Sequence, residues 1–235
     1  MINLFKNILV KFSRVIFWIT PEEFRLKTLQ SKLIWEQKDK ENFEHFQNHY
    51  KKSILFNQIS SLRKHAIENA VNNDPQKNYY YLEFGVWKGE SANFFSKYLK
   101  KLYVFDGFEG LKEDWAGTGL TKGSFNLGKK IPKLNSNIEP IVGWVEDTLD
   151  DFLKKHNPEI NFVHLDMDTY SPTKYTLEKL KPYLIKGATI IFDELYNYPG
   201  WKEGEYKALK EVYQDDEYNF LAFNLSDKQV SIQIK

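Results

Sequence analysis

The thirteen residues from Tyr79 to Ser91, YYYLEFGVWKGES, constrain this chain more than any other stretch. An aromatic and aliphatic run with the composition of a buried strand leads into Glu83-Phe84-Gly85, and Gly89 is followed by a polar helix start at Glu90-Ser91. Gly85 lets the backbone turn where a side chain would clash, and Gly89 lets the next helix pack closely. The free N–H groups of that helix would then face whatever lies above the strand. The spacing is E-x-G-x-x-x-G rather than G-x-G-x-x-G, which disfavours a dinucleotide pyrophosphate cradle. Taken alone, two glycines after a strand also suit a turn with no ligand.

The chain that follows repeats the strand-to-helix alternation. A helix to about Leu99 precedes the apolar run Leu102 to Phe105, and the β-α-β order implies parallel pairing with a right-handed crossover. Further strands are expected at Glu139 to Val142, Ile160 to Leu165 and Ala188 to Phe192. Helices are expected after Asp147 or Thr148, from Ser171-Pro172 to about Leu184, and over Gly204 to Tyr213. Tyr218 to Leu225 with Gln229 to Ile234 reads as a closing hairpin. Residues 111–137 carry Gly117, Gly119, Gly123, Gly128 and Pro132 without periodicity, the mark of a long functional loop.

Three of these strands end on acids: Asp106, Asp166 with Asp168, and Asp193 with Glu194. In a parallel sheet the carboxyl ends share one edge, so these side chains converge above the sheet beside the Gly85 turn. Crowded carboxylates repel one another unless a cation or hydrogen-bond donors neutralise them. A hard, oxygen-liking ion such as Mg²⁺ suits two or three of them. One such acid on its own is better read as a cap of the following helix, whereas three strand ends together favour a site, and Asp106 reads equally as a ribose-binding acid or the cap of the Phe108-Glu109-Gly110 turn. His164 reads as a packed or supporting histidine.

The 235 residues suffice for one sizeable core, and 33 basic against 32 acidic residues leave a net charge of +1, without the broad basic surface that nucleic acid requires. The absence of cysteine excludes disulfides and thiolate chemistry and is compatible with a cytoplasmic location. Residues 1–20 are apolar but broken by Lys6, Lys11 and Arg14, too charged for a spanning helix. A helix packed on the domain is the favoured reading there, with a weak membrane-surface contact as the alternative. Thr20-Pro21-Glu22-Glu23 reads as a helix start, and Ile54 to Val71 as a helix ended by Asn72-Asn73-Asp74-Pro75. Residues 1–75 are thus expected to form a helical extension or lid, and 76–235 the main domain.

The stretches YLEFGVWKGES, VFDGFEGLKEDW, GWVEDTLDDF, NFVHLDMDTYSPT and TIIFDELYNYPGWKEGEYKA together resemble the macrocin O-methyltransferase (TylF-like) family of class I S-adenosylmethionine-dependent methyltransferases. The resemblance covers roughly residues 79–209 and implies a Rossmann-like, mostly parallel seven-stranded sheet with an antiparallel C-terminal hairpin. By it, Glu83, Phe84, Gly85 and Gly89 underlie the methionine part of S-adenosylmethionine, with Ser91 near its carboxylate. Asp106, followed by Gly107, meets the ribose hydroxyls, and Trp144, Glu146 and Asp147 surround the adenine. Asp166, Asp193 and Glu194 hold the metal, Asp166 also borders the cofactor, and Asp166 or Asp168 is the base. Glu194 stands where the family often has a second aspartate, and residues 118–138 are short and glycine-rich for the helix the family usually carries there.

The implied function is Mg²⁺-assisted methylation of a sugar hydroxyl on a glycosylated natural product or glycan, by an enzyme of a type often found as a homo-oligomer. Two rivals remain at this point. Asp166-Met167-Asp168 is also the D-x-D of a metal-dependent glycosyltransferase, and the same sheet could serve as a non-catalytic cofactor-binding module.

Overall fold

A computed structural model describes residues 22–235 together with Lys11 and Val15. The readings made for residues 1–20 and for the Thr20-Pro21 cap lie outside the described residues. The chain divides into two compact units, Met1–Glu44 and His45–Lys235. From Glu22 the chain forms α1 (Glu22–Tyr50), whose sequence is charged along most of its length. Among the described residues no helix is long and apolar enough to cross a membrane.

The second unit is built on one eight-stranded sheet. Its strands are β1 (Ile54–Phe56), β2 (Tyr80–Phe84), β3 (Leu102–Asp106), β4 (Ile138–Val142), β5 (Ile160–Leu165), β6 (Leu184–Phe192), β7 (Tyr218–Asn224) and β8 (Val230–Ile234). They lie in the order β1-β7-β8-β6-β5-β2-β3-β4. Every neighbouring pair is parallel except those made by β8, which runs antiparallel to β6 and β7. The expected mostly parallel sheet with a C-terminal hairpin is therefore present, with one strand more than expected. That strand, β1, begins the segment read as a helix from Ile54. Three residues are too few to show a period, and their pairing with Ala222 to Asn224 makes them a strand.

Helices α2 (Ile59–Asn72), α3 (Glu90–Phe95), α4 (Val145–His156), α5 (Tyr170–Leu180) and α6 (Glu205–Val212) cover the two faces. Strand alternation sorts the core between them. Leu82, Phe84, Tyr103, Phe105 and Leu165 belong to one cluster with Leu149 and Phe152 of α4 and Leu177 of α5. Tyr81, Leu102, Val104 and Phe162 belong to the other, with Ala66 and Ile67 of α2 and Phe95 of α3. Each such side chain contributes about 1.5–3 kcal/mol by leaving water. In α4, Val145, Leu149, Phe152 and Leu153 are buried at helical spacing, and Asn157 ends the helix in the left-handed conformation at φ 40°. The cap expected from Asp147 or Thr148 is not made: α4 starts one turn earlier, after Trp144, whose carbonyl accepts the Thr148 hydroxyl at 3.0 Å.

The link between β3 and β4 contains neither helix nor strand. It is held by its own backbone, with Leu111 N–H donating to the Ser124 carbonyl at 2.9 Å and Gly123 N–H to that of Leu111 at 2.9 Å. Leu111 and Trp115 bury their side chains and anchor the loop to the core.

Candidate active site

A cleft of about 440 Å³ opens at the carboxyl edge of the sheet, lined by the β2–α3 turn, the ends of β3, β5 and β6, and the β3–β4 loop. Parallel strands point their carboxyl ends the same way, so residues far apart in sequence meet there. Gly85, Ser91, Asp106, Gly107, Trp144, Glu146, Asp166, Asp168, Asp193 and Glu194 all line it. Glu83 and Phe84 lie buried beneath it in β2, and Asp147 is exposed and outside its lining. Gly89 caps α3 at φ 79°.

The turn requires glycine for a steric reason. Gly85 has φ 84°, and a β-carbon there would stand 1.7 Å from the Asp166 carbonyl oxygen, so the ends of β2 and β5 nearly touch. Asp106 fixes the turn from the neighbouring strand. Its Oδ2 accepts the N–H groups of Val86 at 2.7 Å and Trp87 at 2.9 Å, and its Oδ1 that of Phe108 at 2.6 Å. Asp106 is thus the cap of the Phe108 turn, and it faces the cleft as well. Trp87, Phe108, Phe125 and Asp168 all hold positive φ angles. Such strain in bulky residues concentrates at ligand sites.

Beside this turn, Asp166, Asp168 and Glu194 each offer an oxygen within 4.8 Å of the others. Burial, then the charge of Asp193, push the Asp166 and Glu194 carboxyls well above their ordinary range. Burial and Asp193 raise Asp168 to about 7. The Lys228 ammonium lies 3.3 Å from Glu194 Oε1, while Oε2 of Glu194 is buried without a hydrogen-bond partner.

Asp193 is oriented differently from its neighbours. Its Oδ1 is contacted by His164 Nε2 at 3.0 Å and Arg63 Nη2 at 3.0 Å, and it also accepts from the Gln229 amide. Burial would raise this carboxyl, but His164 and then Arg63 hold it below the usual range. The other ring nitrogen of His164 lies 3.1 Å from Glu83 Oε1, which also accepts the Ser91 hydroxyl. Burial opposes a charge on His164, yet its hydrogen bonds to Asp193 and Glu83 outweigh that and push it up to about 10. The acids converge on one rim as the sequence implied, but the three that meet at one point are Asp166, Asp168 and Glu194, with Asp193 clasped in a buried chain behind them.

Arg63, Lys228, Gln229 and Glu205 were not singled out from the sequence. Glu205 is fully buried, accepts the Glu194 N–H at 2.9 Å, and is raised well above its ordinary range by burial. Arg63 and Gln229 lie 130 and 36 residues from Asp193, and no local pattern signals such partners.

These donors suit a divalent ion. The half-buried Asp166 and the buried Asp168 and Glu194 meet at one point, all oxygen donors, and Glu194 has an unpartnered oxygen. The turn suits an adenosyl amino acid, since its glycine backbone approaches the cleft and the Trp144 ring lines the wall beyond Asp106.

A family model described as a methyltransferase domain matches residues 82–195. No curated protein matches the chain in sequence. Among solved structures, the calicheamicin methyltransferase CalS11 superposes with a TM-score of 0.61 at 21% identity, over 91% of this chain and 93% of that one. An apo structure of CalS11, described as a TDP-rhamnose 3'-O-methyltransferase, gives 0.55 at 20% identity, over 91% of this chain and 95% of that one. The O-methyltransferase NovP gives 0.55 at 20% identity, over 75% and 80% of the two chains. The sheet order and these superpositions give the chain the fold of the class I methyltransferases, and residues 82–195, which hold the glycine turn and the acids at the carboxyl edge, match a methyltransferase domain.

Proposed function

We propose that the chain is an O-methyltransferase that acts on a sugar hydroxyl with help from a divalent cation. The observation that carries this reading is the meeting of Asp166, Asp168 and Glu194 within 4.8 Å, in the same cleft as the Gly85 turn. An alcohol holds its proton far above neutral pH, so a methyltransferase for hydroxyls needs a way to remove it. Clustered carboxylates beside the methyl donor provide that. The likeness to CalS11 and NovP supports a sugar as acceptor, since both are described as methyltransferases and CalS11 as acting on TDP-rhamnose.

S-adenosylmethionine supplies the methyl group, and a divalent ion supplies a charge that lowers the acceptor's pKa. In this reading Asp166, Asp168 and Glu194 hold the ion, and Asp166 or Asp168 takes the hydroxyl proton. Asp193 supports them from behind through His164. Gly85 and the backbone around it pass beneath the methionine moiety. Asp106 meets the ribose while keeping the turn in place, and Trp144 with Glu146 borders the adenine. The β3–β4 loop closes one wall of the cleft through Trp115 and Leu120, where the acceptor would enter. An extension of residues 1–75 is too long, because β1 and α2 belong to the sheet unit, and the extension is better limited to residues before His45; a cytoplasmic setting agrees with a chain that lacks cysteine. A glycosyltransferase built on Asp166 and Asp168 leaves the Gly85 turn without a role.

Calorimetric titration with S-adenosylhomocysteine, followed by transfer of labelled methyl groups to TDP-rhamnose with and without Mg²⁺, tests the reading. Binding of the nucleoside and Mg²⁺-stimulated transfer to a sugar are expected. Full transfer in EDTA would remove the metal from the proposal, and failure to bind S-adenosylhomocysteine would remove the proposal altogether.

A further inference from the structure

Ser91, expected near the cofactor's carboxylate, has its hydroxyl committed to Glu83. The corner of the cleft under the Gly85 turn is strongly acidic, because Asp166 and Asp193 line it and Glu83 lies buried beneath them. A ligand carboxylate placed in that corner would be repelled unless a cation met it. Four cationic side chains line the cleft: Arg63, Lys88, Lys112 and Lys228. Lys112 is bound to Glu146 at 2.8 Å and lies over the Trp144 ring, on the adenine side. Lys228 is bound to Glu194. Lys88 lies over the exposed Trp87 ring, 4.2 Å from its centroid.

Arg63 alone stands among the acids beneath the turn. It reaches the cleft from the first turns of α2, where one terminal nitrogen, Nη2, binds Asp193 at 3.0 Å. Its Nε is buried and has no hydrogen-bond partner. A guanidinium offers five donors in a planar fork, so it can keep one carboxylate on one edge and take another on a second. A buried donor without an acceptor is unfavourable, and a bound carboxylate would relieve it.

We propose that Arg63 is the anchor for the α-carboxylate of the cofactor's methionine moiety, resting on the reading of the cleft as an S-adenosylmethionine site. The site is then divided between two parts of the chain. The glycine turn shapes it, and a residue that precedes the matched methyltransferase segment supplies the charge.

The test compares ligands with and without that carboxylate on the same protein. Calorimetric titration of wild type, Arg63→Ala and Arg63→Lys would use S-adenosylhomocysteine, decarboxylated S-adenosylmethionine and methylthioadenosine. The expected result is a loss of tenfold or more for S-adenosylhomocysteine in Arg63→Ala. Affinities for the two ligands without a carboxylate should change by less than twofold, and Arg63→Lys should recover part of the loss. If Arg63→Ala does not fold, the comparison is made on Arg63→Lys, where a selective loss for S-adenosylhomocysteine is still expected. Equal losses for all three ligands, the mark of a role limited to holding Asp193, would overturn the proposal while leaving the cofactor reading in place. Wild type that binds none of the three would overturn both.

Discussion

His164 stands 3.0 Å from Asp193 through one ring nitrogen, and its other nitrogen faces Glu83 at 3.1 Å, so a buried imidazole links the strand beneath the glycine turn to the strand that carries the acid rim. Three adjacent strands, β2, β5 and β6, are thereby joined by side chains as well as by their backbone ladders. The arrangement is stable only while the ring is charged, because both partners are acids in a site removed from water.

The first expectation concerns pH. The ordinary histidine value is 6.5 and the folded value is about 10, so the proton binds more tightly in the folded state. The resulting stability is complete below pH 6.5 and is lost as pH rises from there to about 10. Nitrogen-15 spectra at pH 7.5 should show both His164 nitrogens protonated, and a neutral ring at that pH would refute the buried ion pair. His164→Ala should lower stability in urea unfolding by up to about 3 kcal/mol, since it removes a charged partner from Glu83 and Asp193 and leaves them only Ser91 and the Arg63 and Gln229 side chains.

Asp106→Ala should affect the fold as well as ligand binding. The carboxylate accepts three backbone N–H groups that shape the turn, and hydrogen bonds to a charged group are worth about 1.5–3 kcal/mol each before water replaces some of them. A loss of about 2 kcal/mol or more is expected by denaturant titration, together with weaker S-adenosylhomocysteine binding. A variant as stable as wild type would show that the turn holds without Asp106.

Gly85→Ala should be damaging out of proportion to one methyl group. A β-carbon would meet the Asp166 carbonyl oxygen at 1.7 Å, on a backbone at φ 84°. The conformation alone costs about 1–3 kcal/mol for a residue with a side chain, and the clash adds to it. The check is urea unfolding alongside cofactor titration, and unchanged binding would contradict the close approach of the two strands.

Mg²⁺ should raise the melting temperature of the wild type. A ligand at about 100 times its dissociation constant adds roughly 2.7 kcal/mol, about 5–10 °C for a chain of this size. Glu194→Gln removes one of the three clustered carboxylates, so it should lose most of the Mg²⁺ response. An unchanged response would place the ion elsewhere.

Much of this architecture was legible in the chain itself, because strand and helix periods, glycine turns and the order of elements are local properties. The run from Tyr79 to Phe84, the glycines at 85 and 89 and the acids closing β3, β5 and β6 could be read directly, and the parallel topology then implied that those acids share an edge. The strand at Ile54–Phe56 could not be, since its conformation is set by β7 more than 160 residues away. Which carboxylates meet, and which is turned aside, depended on side chains from α2, β5 and the residue before β8 that choose the same oxygen of Asp193. Local sequence determines which elements form and where they end. Only packing decides which charged groups are left to face one another out of water.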